Sequence, residues 1–219
     1  MDKILYEKIY DSEIYKTLEE YQKKNGDNVL WGGHNGTLCN ESRETEFEYV
    51  QWMVDILQSI SDKHINILET GTNYGSFSHI CYAIFESFNL YTNDIVPESG
   101  DVVDKINQFY ESDSVVFSND VLQNLYPGNH SIYTKIEFDV AWLDSGHNFD
   151  TLYSEFLLCQ KNGIKNLLVD DVYSSGEVTR AVGKFLYTHS EYRVRSFFLN
   201  PVYSTCGMWL ELRDTETFK

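Results

Sequence analysis

The chain has 219 residues, 42% of them hydrophobic, including 13 Phe, 16 Tyr and 4 Trp. That apolar load builds a folded core and excludes a disordered chain, and the length fits one large domain better than two. Acidic residues outnumber basic ones 34 to 17, for a net charge of −17, which repels a phosphate backbone and an anionic membrane surface alike.

Nucleic acid and membrane are therefore poor partners. The acidity suits a protein that holds a divalent cation, although most of these acids must be solvated surface. No run approaches a transmembrane span, and Met1 to Glu7 has neither an apolar signal core nor a small-residue cleavage site. The cysteines, Cys39, Cys81, Cys159 and Cys206, form no CxxC pair, and Cys81 and Cys159 fall in apolar-periodic segments. These features describe a reduced, cytoplasmic protein.

In chain order, Ile4, Ile9, Ile14, Leu18 and Tyr21 mark a helical stripe over residues 2–22, and Asn25 to Asn28 breaks it. Trp31 to Gly36 is glycine-rich and reads as a mobile loop over the site, with His34 in it. Ser42 is placed to cap a helix that carries Phe47, Val50, Val54, Leu57 and Ile60. Residues 1–45 are thus expected to form an N-terminal helix and loop, and 46–219 the main domain.

From residue 65 strands alternate with helices. Strands are expected at 65–69, 90–94, 114–117, 138–144 and 166–171, with helices after the first, second, fourth and fifth, then two late strands near 192–199 and 206–212. Such alternation gives an α/β fold, a parallel sheet with helices on both faces. Ligands bind such sheets at the carboxyl ends of the strands. Asp94, Asp144, Asp170 and Asp171 all fall at those ends.

After the first of these strands comes Glu69-Thr70-Gly71-Thr72-Asn73-Tyr74-Gly75. Gly71 and Gly75 permit a tight turn and a close approach of ligand to backbone, and the helix beginning near Gly75 offers its N-terminal dipole. Asp94 follows at about the interval of a ribose-binding acid. The dehydrogenase fingerprint is absent, because Asn73 stands at its second glycine, and no phosphate loop of the Walker type exists.

This segment resembles motif I of the class I S-adenosylmethionine (SAM)-dependent methyltransferases. The resemblance implies a Rossmann-like parallel sheet with an antiparallel last strand, covering residues from about 45 to the end. It implies a cofactor site made by Glu69, Gly71, Thr72, Asn73, Gly75, Asp94, Ile95, Ser118, Asn119, Asp120 and Asp144. Within that superfamily, Asp144-Ser145-Gly146-His147 and Asp170-Asp171 resemble the metal-dependent O-methyltransferases, sugar-tailoring members above all and catechol-type members next. By that resemblance Asp144, Asp170 and Asp171 ligate a divalent cation. Mg²⁺ is the first choice and Mn²⁺ or Ca²⁺ the alternatives, as hard oxygen donors select.

The chemistry agrees. Converging carboxylates repel unless a cation sits among them, and a cation acidifies a bound hydroxyl. His147, on the turn after Asp144, titrates near neutrality and suits the general base. Ser145 replaces the usual glycine, and Asn162 to Lys165 replaces a common Gly-Gly turn. The expected reaction is methyl transfer from SAM to a sugar or glycan hydroxyl. A catechol-like acceptor, a non-catalytic SAM-binding module and a nicotinamide dehydrogenase are the competing readings. A homo-oligomer is left open.

Overall fold

A computed structural model of the chain describes residues 3–24, 43–61, 63–120, 136–200 and 206–213. The break at 25–28, the loop with Trp31 and His34, the Ser42 cap and Cys39 lie outside the described residues. The elements are α1 (Lys3–Tyr10), α2 (Glu13–Lys24), α3 (Arg43–Ile60), β1 (Ile65–Thr70), α4 (Ser76–Ile84), β2 (Phe88–Asn93), α5 (Glu98–Phe109), β3 (Val115–Ser118), β4 (Val140–Leu143), α6 (Phe149–Lys161), β5 (Asn166–Asp170), α7 (Gly176–Thr188), β6 (Tyr192–Leu199) and β7 (Cys206–Leu212). The seven strands form one sheet in the order β3-β2-β1-β4-β5-β7-β6. All pairings given in register are parallel except those of β7 with β5 and β6. The α/β fold class and the antiparallel ending are as the sequence led us to expect.

The chain gathers into two compact units, Met1–Asn66 with Gly71–Asp120, and Ile67–Thr70 with Val121–Lys219. In the first, β2 and β3 run parallel with Leu90 opposite Val115 and Asn93 opposite Ser118. Helix α5 buries Ser99, Val102, Val103 and Ile106, the i, i+3, i+4, i+7 stripe of an amphipathic helix. The N-terminal stripe is two helices, not one. Ser12 ends the first turn-run: its Oγ donates to the Ile9 carbonyl at 3.0 Å and accepts from the Tyr15 amide at 3.2 Å. A serine that satisfies the orphan groups of both helix ends makes the break cheap.

In the second unit β1 pairs with β4, Thr70 opposite Leu143, and β4 pairs with β5, Leu143 opposite Val169. Val140, Ala141, Trp142 and Leu143 are all buried, the continuous apolar run of a strand covered on both faces. Helix α6 buries Leu152, Phe156 and Cys159, and the Phe156 ring stacks on Phe185 of α7 at 4.7 Å. Each fully buried side chain of this kind contributes about 1.5–3 kcal/mol. Among the described residues no helix is long and apolar enough to cross a membrane.

Candidate functional site

In the first unit the loop after β1 closes on the end of β2. The Gly71 amide donates to the Asn93 carbonyl at 2.8 Å, and the Asn73 amide donates to Asp94 Oδ2 at 2.7 Å. Three residues of this loop lie at positive φ: Gly71 at 85°, Asn73 at 46° and Gly75 at 71°. Asparagine tolerates that region better than other side chains do, so Asn73 does the work a glycine does in the dinucleotide fingerprint. At Gly75 a Cβ would come within 2.6 Å of Ile106 Cδ1. The second glycine is thus favoured by φ, and a side chain there would also make Ile106 of α5 shift. Gly75 also begins α4 with no side-chain cap.

Asp94 is well held. Its Oδ2 accepts from Asn73 and from Ser99 Oγ at 3.3 Å, and its Oδ1 accepts from the Val96 amide at 3.0 Å. The oxygen that accepts once keeps a second lone-pair direction. Asn119 Nδ2 donates to the Asp94 carbonyl at 3.0 Å, and Asn93 Nδ2 to the Asp120 carbonyl at 3.1 Å. The segments carrying Gly71 to Gly75, Asp94–Ile95 and Ser118 to Asp120 are therefore tied together. Ile95 is 70% exposed beside the acid, an apolar surface of the sort a nucleobase covers. An oriented carboxylate, a glycine loop and an apolar neighbour together fit a nucleoside.

In the second unit the Asp144 amide donates to the Thr70 carbonyl at 3.1 Å, which carries the ladder one residue past β4. The turn then needs Gly146, where a Cβ would meet Asn148 Nδ2 at 2.9 Å. Asn148 caps α6 by accepting from the Thr151 amide at 3.0 Å. His147 Nε2 lies 3.5 Å from Asp144 Oδ1 and 3.2 Å from Asp171 Oδ2. One donor atom from each of the three falls within 4.8 Å of the others. Asp171 stands just past β5 at φ 54°, and its Oδ1 accepts from Ser174 Oγ at 2.5 Å.

The structure thus brings Asp144 and Asp171 together and adds His147. Asp170, the third acid of the sequence expectation, ends β5 opposite Gly207 and lies outside this group. Two carboxylates and an imidazole fit a divalent cation, and the nitrogen donor shifts the preference from Mg²⁺ toward Mn²⁺. The hydrogen bond to Asp144 raises the His147 pKa above its ordinary value, with Asp171 adding to it and partial burial opposing it.

The sequence reading passed over Glu155. This acid of α6 is 2% exposed; its Oε1 accepts from Ser145 Oγ at 2.6 Å and its Oε2 from Thr70 Oγ1 at 3.3 Å. Burial pushes its carboxyl up to about 7, against the pull of those two hydroxyls. A signal existed: Glu155 sits among Leu152, Phe156 and Cys159 on the apolar stripe, where an unpaired acid is costly. His79, a histidine that matches no motif in the sequence, is 1% exposed. Its Nε2 meets the Ile9 carbonyl at 2.9 Å and its Nδ1 the Tyr110 hydroxyl at 2.8 Å.

No protein-family model matches the sequence, and no curated protein matches it. Solved structures do. TomG of Streptomyces achromogenes, an O-methyltransferase involved in tomaymycin synthesis and solved with SAM, matches at TM-score 0.63 and 13% identity, covering 98% of this chain and 91% of its own. An O-methyltransferase of Bacillus cereus in complex with SAH gives TM-score 0.57 and 14% identity, over 90% of this chain and 97% of its own. An rRNA methylase of Streptococcus thermophilus gives 0.57 and 11%, over 75% and 96%. The fold is a methyltransferase fold. At these identities the likeness reaches the fold alone, and the matched structures range from O-methyltransferases to an rRNA methylase.

Proposed function

We propose that the chain is a SAM-dependent O-methyltransferase that modifies a sugar or glycan hydroxyl with the help of a divalent cation. The observation that carries this reading is the Asp144, His147 and Asp171 group in a chain of methyltransferase fold. Gly71, Asn73, Gly75, Asp94, Ile95 and Asp120 would hold the nucleoside, with Asp94 receiving the ribose hydroxyls. Asp144, Asp171 and His147 Nε2 would hold the cation, which would acidify the acceptor hydroxyl and fix its oxygen. Catalysis then comes largely from alignment of sulfonium, methyl and oxygen. The sugar preference rests on the resemblance of Asp144–His147 and Asp170–Asp171 to the sugar-tailoring enzymes. Tyr173, two residues past Asp171 and 50% exposed, adds an aromatic face with a polar tip.

His147 as the general base is the second reading, favoured by the carboxylates that raise its proton affinity. In that reading Nε2 takes the hydroxyl proton, and Asp144 and Asp171 stabilise the imidazolium. One nitrogen cannot hold a proton and a cation at once, so the two readings part experimentally. If Nε2 is a ligand, His147→Ala weakens Mn²⁺ binding by about 10-fold or more. If it is the base, Mn²⁺ binding is kept, kcat falls by roughly 10²–10⁴-fold, and the pH profile loses its imidazole limb. Methyl-labelled SAM offered with sugars and with catechols identifies the acceptor class. Calorimetry without affinity for SAM or SAH would sink the proposal as a whole.

A further inference from the structure

The turn that carries Asp144 and His147 is anchored from behind by Glu155. Thr70 Oγ1 donates to Glu155 Oε2 and also accepts from the Asp144 amide at 3.3 Å. Ser145 Oγ donates to Glu155 Oε1. One buried carboxyl therefore holds both the last residue of β1 and the residue after Asp144.

We propose that Glu155 is a positioning residue, fixing the Asp144–His147 turn through the hydroxyls of Ser145 and Thr70. Three observations carry it. The first is burial: Glu155 is the acidic member of the buried face of α6, and an acid is kept in such a place only when its hydrogen bonds are made. The second is Ser145, whose hydroxyl reaches Oε1 at 2.6 Å. The third is mechanical. Gly146 permits the turn but, lacking a side chain, cannot anchor it, so the turn's orientation is set at Ser145 on one side and by Ser175 Oγ, which donates to the His147 carbonyl at 3.3 Å, on the other. Groups that orient ligands in this way typically change metal affinity by 10–100-fold when removed.

The inference deepens the proposed function and rests on it for what the turn is positioned to do. Its mechanical part stands on the turn alone, so two readouts separate the failures. Glu155→Leu fills the same apolar stripe without the carboxyl; Glu155→Gln keeps an acceptor for one hydroxyl and a donor for the other, and is the rescue. Circular dichroism and a retained thermal transition establish that each variant folds. Hydrogen exchange at the Asp144 amide is expected to speed up about 10-fold or more in the Leu variant and to stay near wild type in the Gln variant. Mn²⁺ titrated by calorimetry is expected to bind the Leu variant about 10-fold or more weakly, and the Gln variant nearly as well as wild type. Wild-type exchange at Asp144 in the folded Leu variant overturns the positioning role. Equal Mn²⁺ affinity in wild type and Leu variant overturns it as well. If wild type binds no Mn²⁺, the cation reading fails, and the exchange data alone decide whether Glu155 sets the turn.

Discussion

Gly75 shows how much one residue can be asked to do. It lies at φ 71°, and a Cβ there would sit 2.6 Å from Ile106 Cδ1. Gly75→Ala should cost about 1–2 kcal/mol for the left-handed backbone and about 1–3 kcal/mol for overpacking, read as a drop in urea midpoint. Ile106→Val removes the atom in the way. The double variant should therefore recover the packing part and leave the backbone part. Additive losses in the double-mutant cycle would show that the contact with α5 does not matter. Asn73, at φ 46°, escapes the same cost by being asparagine, which is why a missing glycine did not mean a missing loop.

At the scale of elements, the caps decide where helices begin and so where site residues stand. Asn148 follows His147 directly and closes the first turn of α6 through the Thr151 amide. Asn148→Ala should lower stability by about 1 kcal/mol, while Asn148→Asp keeps an acceptor and should be near neutral. Chemical denaturation measures both. An alanine variant as stable as wild type would mean that the cap is replaced by solvent. Ser175 plays the matching part for α7, accepting from the Val178 amide at 3.4 Å while its hydroxyl reaches the His147 carbonyl. The break between α1 and α2 belongs here as well. The apolar stripe over residues 2–22 looks continuous in sequence, and the turn is imposed by Ser12 and by the His79 ring, whose Nε2 lies 3.2 Å from Ser12 Oγ.

For the molecule as a whole, two buried groups tilt stability against pH in opposite directions. Burial lowers the His79 pKa to about 4, with the Ile9 carbonyl opposing. The unfolded chain takes up that proton first, so the neutral ring's contribution is present above about 6.5 and lost as pH falls toward 4. Burial raises the Glu155 pKa to about 7. Here the folded chain holds the proton longer, so the contribution is present below about 4.5 and lost as pH rises through 7. Glu155→Gln removes the second effect. Its stability relative to wild type should rise by up to about 3 kcal/mol between pH 4.5 and 7, then level off. His79→Gln should show the opposite trend, gaining on wild type as pH falls from 6.5 to 4. Denaturation curves across pH 4–8 test both; parallel curves for wild type and variant would exclude burial as the cause.

The sequence by itself determined the alternation of strands and helices, because hydrophobic periodicity is local and acids mark the ends of three of the strands. Asp94, Asp144 and Asp171 were legible for that reason, as was the loop from Gly71 to Gly75. Tertiary structure decided what periodicity cannot carry. The family resemblance placed Asp170 and Asp171 together as equals; in the fold Asp171 is the one grouped with Asp144 and His147. The motif resemblance gave His147 a proton to move; the fold sets its Nε2 between two carboxylates. Glu155 read as one more acid on a strongly acidic chain, since a charge count does not distinguish a solvated carboxyl from a buried one. Only the packing of α6 behind β1 and β4 puts it where two hydroxyls must meet it.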